Sequence, residues 1–124
     1  MQPSAADGHN PHVPRELEIC CYSVSDAQIA ERFGADRIEL CAGRPEGGTT
    51  ASLGVLRSAI ESLTIPVFPM VRPRGGDFVY DDLEFSAMCD DVRTIAAMGF
   101  RGLVFGILDS SGGVDVGRSA ALLD

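Results

Sequence analysis

The stretch Ile65–Phe78, IPVFPMVRPRGGDF, decides the fold reading. Pro66 opens an unbroken apolar run, Val67 to Val71, and such a run suits a strand buried on both faces of a parallel sheet. It leads directly into Arg72, Arg74, Gly75, Gly76 and Asp77. An apolar strand ending in charges is how parallel α/β proteins deliver functional groups to the rim of the sheet.

Working outward, strands and helices alternate. Leu17 to Tyr22 reads as a strand, and Ser25 with Gln28 as the capping box of a helix. Ile29, Ala30 and Phe33 form that helix's apolar stripe, and Gly34 ends it. Arg37 to Cys41 is a second strand, followed by the turn-rich loop 42–51. A second helix starts near Ser52, with Leu53, Leu56, Ile60 and Leu63 on one face. Beyond the RPRGGDFVY loop, Asp81 or Asp82 caps a third helix whose apolar positions are Phe85, Met88, Val92 and Ile95. Gly99 closes it. Gly102 to Leu108 is a fourth strand, and a fourth helix opens near Val116.

Four βα units in strict alternation require a parallel sheet with right-handed crossovers. A doubly wound open sheet and a (β/α)₈ TIM barrel both satisfy this. Four units are half a barrel, and a half barrel leaves edge strands and core uncovered. The expected α/β architecture is therefore a truncated fragment of a longer TIM barrel, with a homo-oligomer, a dimer of halves, as the alternative.

Composition narrows the function classes. The chain has 124 residues, 45% hydrophobic and 23% charged, with a net charge of −8. That charge argues against non-specific nucleic-acid binding and against anionic membrane surfaces. No apolar run reaches the roughly 20 residues that span a bilayer. Residues 1–15 lack the apolar centre of a signal peptide and read as a disordered polar tail before a domain at 16–124. The expected location is cytoplasmic. The four cysteines, Cys20, Cys21, Cys41 and Cys89, then read as reduced thiols. Their spacing matches no CxxC zinc pattern. His9 and His12 form an HxxH in the tail, where histidines usually only solvate.

The chemistry concentrates in a repeat. LEIC (17–20) recurs as IELC (38–41), each placing a carboxylate and a thiol two residues apart. Side chains alternate along a strand, so Glu18 shares a face with Cys20, and Glu39 with Cys41. Neighbouring strands lie about 4.8 Å apart, which brings both thiols near one rim. Two thiolates there suit a soft ion. The plainer reading makes each cysteine a small buried hydrophobe. Glu18 and Glu39 need partners if buried, and Arg37 shares the face of Glu39. Together with Arg72 and Asp77 they are candidate catalytic groups of a small-molecule site, or else a structural ion-pair network. Arg72, Arg74, Gly75 and Gly76 are candidates for binding a small anion, because arginine forks and free amides recognise carboxylate or phosphate. Asp77 pairing with an arginine would instead stiffen the loop. EGGTT (46–50) lacks the GK[ST] of a Walker A loop.

LEIC, GADRIELCAG (34–43), EGGTT, SLGVL (52–56), the opening stretch and GLVFGILD (102–109) together resemble the N-terminal half of the CutC copper homeostasis proteins. The resemblance covers about residues 16–124. It implies a TIM barrel roughly twice this length, a cytosolic location and copper(I) as the bound ion, with the family's copper cysteines at Cys20 and Cys41. The function it implies is copper handling by sequestration, without turnover. The alternative is a barrel enzyme acting on a small carboxylate- or phosphate-bearing substrate. It has no nucleophile–histidine pair, since both histidines lie in the tail.

Overall fold

The computed structural model describes residues 15–124. His9, His12 and the proposed tail lie outside the described residues, apart from Arg15. The elements follow in the order β1 (Glu18–Cys21), α1 (Val24–Arg32), β2 (Arg37–Leu40), a 3₁₀ turn (Arg44–Glu46), α2 (Leu53–Ser62), β3 (Val67–Pro69), α3 (Asp82–Ala97) and α4 (Val116–Leu123). β1, β2 and β3 pair in that order as a parallel sheet, so the α/β reading with a parallel sheet holds.

The alternation of side chains splits this sheet into two unlike faces. Cys21, Ile38, Leu40 and Val67 turn to one side and join Ala27, Leu56 and Ala59 of the helices in a single apolar core. Ile38 and Leu40 are completely buried, and each such side chain contributes about 1.5–3 kcal/mol of hydrophobic stabilisation. Glu18, Cys20, Arg37, Glu39 and Phe68 occupy the opposite face, aligned by the pairings Glu18↔Arg37, Cys20↔Glu39 and Glu39↔Phe68. The charges thus collect on the face that the helices leave open.

Helix termini follow local chemistry. Asp81 caps α3 in a full capping box with Glu84, and Ser52 caps α2 by accepting from the Val55 amide. Gly34 and Gly99 leave their helices at φ +102° and +91°, where a side chain would be strained. The Glu31 carboxylate at the end of α1 accepts from the Thr64 and Ile65 amides and the Thr64 hydroxyl, fastening α1 to the segment that enters β3.

Three expectations change. Ser23, not Ser25, caps α1, its hydroxyl accepting from Asp26. Two of the three residues in the predicted stripe of α1, Ile29 and Phe33, are exposed, and the buried position is Ala27. Similarly, Leu53 and Ile60 of α2 are exposed, while Leu56 and Ala59 carry the contact. In α1 a small alanine lets the helix lie close to the sheet, while α2 packs against α1 and turns Leu56 and Ala59 into the core with its bulkier flanks outward. Finally, Gly102–Leu108 does not form a continuous strand. It joins β3 through one parallel bridge, Met70↔Val104, backed by Val71 N–H to Val104 carbonyl (2.7 Å) and Val104 N–H to Pro69 carbonyl (2.9 Å). The segment retains the place of a fourth strand without its ladder. Phe68 packs so tightly there that a Cβ on Gly102 would lie 2.7 Å from its ring.

Candidate functional site

Cys20 rises from β1 and Cys41 stands just past β2, fixed by its amide donating to the Cys21 carbonyl at 2.9 Å. Their sulfurs are 3.8 Å apart, and the Cys41 thiol lies 3.8 Å from Glu39 Oε1. Among the described residues, Cys20, Glu39 and Cys41 form a group of potential ligands whose donor atoms all lie within 4.8 Å of one another. Cys20 is exposed and Cys41 is 1% exposed, so one sulfur is anchored while the other meets solvent.

The electrostatics of the group favour a cation. Burial, then the neighbouring Cys20 and Glu39, push the Cys41 thiol up to about 12. Negative charge is disfavoured there as long as nothing positive compensates it. Coordination supplies that compensation, because a bound metal takes the thiolate and releases the proton. Tyr22, two residues after Cys20, feels the same field: hydrogen bonding to Cys20 raises its phenol pKa, with Cys41 and Glu39 adding to the effect.

Deeper on the same face, Arg37 pairs with Glu18 and lies 4.4 Å over the ring of Phe68. Glu18 is thus neutralised by an ion pair, whereas Glu39 faces the thiols.

The arginine loop forms a second cluster. Arg72 is buried, and its guanidinium donates to the carbonyls of Glu46 (2.6 Å), Gly48 (2.8 Å) and Gly76 (2.7 Å) while stacking on Phe78. Its Nε and the Tyr80 hydroxyl are buried without a hydrogen-bond partner. Burial raises the Tyr80 phenol, and the positive charges of Arg72 and Arg74 oppose that rise. Arg74 pairs with Glu84 (2.6 Å) and Asp77 (3.1 Å) and donates to the carbonyls of Gly75, Asp77 and Val79. Gly75 allows close approach: a Cβ there would sit 2.7 Å from Glu46.

Of the residues named from sequence, Cys20, Cys41 and Glu39 come together, with Glu18 on the same face. Arg72, Arg74, Gly75, Gly76 and Asp77 form the neighbouring loop cluster. Gly48 connects the two clusters, since its carbonyl accepts from Arg72 and a Cβ on it would sit 3.1 Å from the Cys41 sulfur. The sequence reading included Gly48 within EGGTT but not its packing against Cys41, and it overlooked Tyr22. Tyr22 was accessible to it, because strand parity puts that residue on the face of Cys20.

The CutC family model matches residues 15–124. A Klebsiella pneumoniae family protein CutC is 58% identical over 107 residues, which are 86% of this chain and 43% of the relative. A Photorhabdus laumondii family protein CutC is 57% identical over 108 residues, 87% of this chain and 44% of that relative. The crystal structure of a Streptococcus agalactiae protein named for copper homeostasis, CutC, is similar with a TM-score of 0.82 at 37% identity, over 87% of this chain and 53% of that one. The chain spans less than half the length of the curated relatives it matches.

Proposed function

This chain belongs to the CutC family, and from that premise we propose that it binds copper(I) through Cys20 and Cys41 and takes part in copper homeostasis by holding the ion. The observation that carries this reading is the 3.8 Å approach of the two sulfurs at an open rim. Soft thiolates are the ligands copper(I) selects, and an oxygen such as that of Glu39 contributes charge more than affinity. Held between two sulfurs, the ion is kept from redox chemistry in solution, and no turnover is involved. The one-sided sheet and the share of its relatives that the chain spans support the reading of these residues as the first half of a TIM barrel. Four free cysteines support a reducing, cytoplasmic setting.

The test is an anaerobic competition against a copper(I) chelator. The chain should take up one ion, and Cys20→Ser with Cys41→Ser should abolish the uptake. Unchanged affinity in that double variant refutes the role.

A second reading, a barrel enzyme acting on a small carboxylate- or phosphate-bearing molecule, draws on the buried Arg72 Nε and Tyr80 hydroxyl, donors still without acceptors. Glu39 is its general base. Glu39→Gln separates the two readings: an enzyme loses function while retaining copper, and a copper carrier loses neither.

A further inference from the structure

The two sulfurs approach closely, yet their backbones are out of step. Cys20 stands opposite Glu39 in the β1–β2 ladder, and Cys41 lies two residues further along. In a parallel pair two residues of about 3.3 Å rise combine with about 4.8 Å between strands to set such Cα atoms about 8 Å apart, whereas disulfides bridge Cα separations of about 4.4–6.8 Å. The ladder continues to Cys41, whose amide is tied to the Cys21 carbonyl at 2.9 Å, so the offset is fixed by main-chain hydrogen bonds. The 3.8 Å contact is therefore made by two side chains leaning toward each other along the diagonal.

We propose that this stagger makes Cys20 and Cys41 a dithiol that does not close into a disulfide in the folded chain, so that hydroperoxide oxidises exposed Cys20 singly, to the sulfenic acid. In that step the Cys20 sulfur attacks one peroxide oxygen. An S–O bond forms and the O–O bond breaks; the thiol proton goes to the departing oxygen, which leaves as water from hydrogen peroxide or as an alcohol from an organic hydroperoxide, sulfur being oxidised as the peroxide is reduced. The usual sequel, attack by the second thiol on the sulfenic sulfur, needs the Cys41 sulfur to move inside bonding distance, and the ladder resists that movement. A site open to an ion is thereby protected from sealing itself on oxidation. The inference concerns the ion-binding pair proposed above but rests on register alone, and its test contains no metal.

The metal-free full chain is treated with hydrogen peroxide, folded and in urea, with dimedone as a trap for sulfenic acid and non-reducing peptide mapping as readout. Folded chain should give dimedone on the Cys20 peptide, and the Cys20–Cys41 cross-link should form about tenfold faster in urea, where the offset is released. A second variant, Glu39→Cys with Cys41→Ser, moves the second thiol to the position directly opposite Cys20. It should cross-link while folded, about tenfold faster than the native pair. A Cys20–Cys41 cross-link that dominates in the folded chain, or equal rates in the native and shifted pairs, overturns the proposal. Copper uptake is measured separately, so either result leaves the copper reading to its own experiment.

Discussion

Arg72 and Cys41 are held back to back by a single glycine: the guanidinium donates to the Gly48 carbonyl at 2.8 Å, and a Cβ on Gly48 would stand 3.1 Å from the Cys41 sulfur. The loop that follows β2 therefore reaches the thiol pair and the arginine loop through the same residue. Disturbing either partner should be felt by the other.

Gly48→Ala tests that coupling. Gly48 has φ +111°, which strains any other residue, and the added methyl group presses on Cys41. A loss of about 1–3 kcal/mol in stability is expected, with weaker copper(I) retention. Gly54→Ala is the control. Gly54 is an exposed position of α2 where a Cβ would make only an ordinary contact with Ser52 Oγ at 3.9 Å, so the change should stabilise by about 0.5–1 kcal/mol. Urea unfolding measures both, and equal effects would contradict the packing described.

Arg72→Ala removes the donor to three carbonyls, those of Glu46, Gly48 and Gly76. A buried group left without its partner costs about 1–3 kcal/mol, so a total loss of about 3 kcal/mol or more is expected. Arg72→Lys should fall between, because an ammonium lacks the planar fork that reaches the carbonyls of both loops. A near-neutral Arg72→Ala in thermal and urea melts would show that the loops are held by other contacts.

Acid should loosen the fold through a small set of carboxylates. Hydrogen bonds from Thr64 and Ile65 lower the pKa of Glu31, pairing with Arg74 lowers that of Glu84, and Ser111 with Gly113 lowers that of Asp109. A group whose pKa is depressed by folding stabilises the native state above its unfolded pKa, about 4 for these residues, and loses that contribution as pH falls through the folded value. The urea midpoint should hold from neutral pH to about 5 and then decline. Glu31→Gln should flatten part of that decline, and an unchanged acid profile would remove Glu31 from the account.

Asp91 has the opposite sign. Burial, with Asp90 beside it, raises its pKa; it lines a cleft of about 60 Å³ with Thr50, Leu53 and Ile95. A raised carboxylate favours the folded state at low pH, and that benefit is lost as pH rises through the folded pKa. Asp91→Asn should therefore stabilise the chain at neutral pH and have little effect in acid. Destabilisation at both pH values would indicate that the carboxylate has a partner in solution.

Much of this arrangement was legible in the residues. Asp81, one of two candidate caps of α3, and the start of α2 near Ser52 were readable because capping depends on neighbours within three residues, though the same rule put the cap of α1 at Ser25 where Ser23 holds it. The carboxylate–thiol repeat placed Glu18, Cys20, Glu39 and Cys41 on one face because a strand's period of two needs no knowledge of what lies beside it. The other errors fell where a second element decides. Ile29, Phe33, Leu53 and Ile60 have helical spacing, but spacing does not say which flank meets the core, and Ala27 and Ala59 took that place. The apolar run Gly102–Leu108 reads as a strand, yet a ladder requires partners, and only Val104 has a bridge to β3.

The order of strand and helix, the glycine stops and the parity of the acid–sulfur repeat belong to the sequence by itself, since each follows from torsional preference and short-range hydrogen bonding along the chain. Tertiary structure alone decided the offset of Cys20 from Cys41, the turning of Arg72 toward carbonyls of the loop after β2 and of Arg74 toward Glu84 of α3, and the role of Gly48 between the clusters. Those features depend on register and close packing between segments well separated along the chain, and no local pattern encodes a distance of that kind.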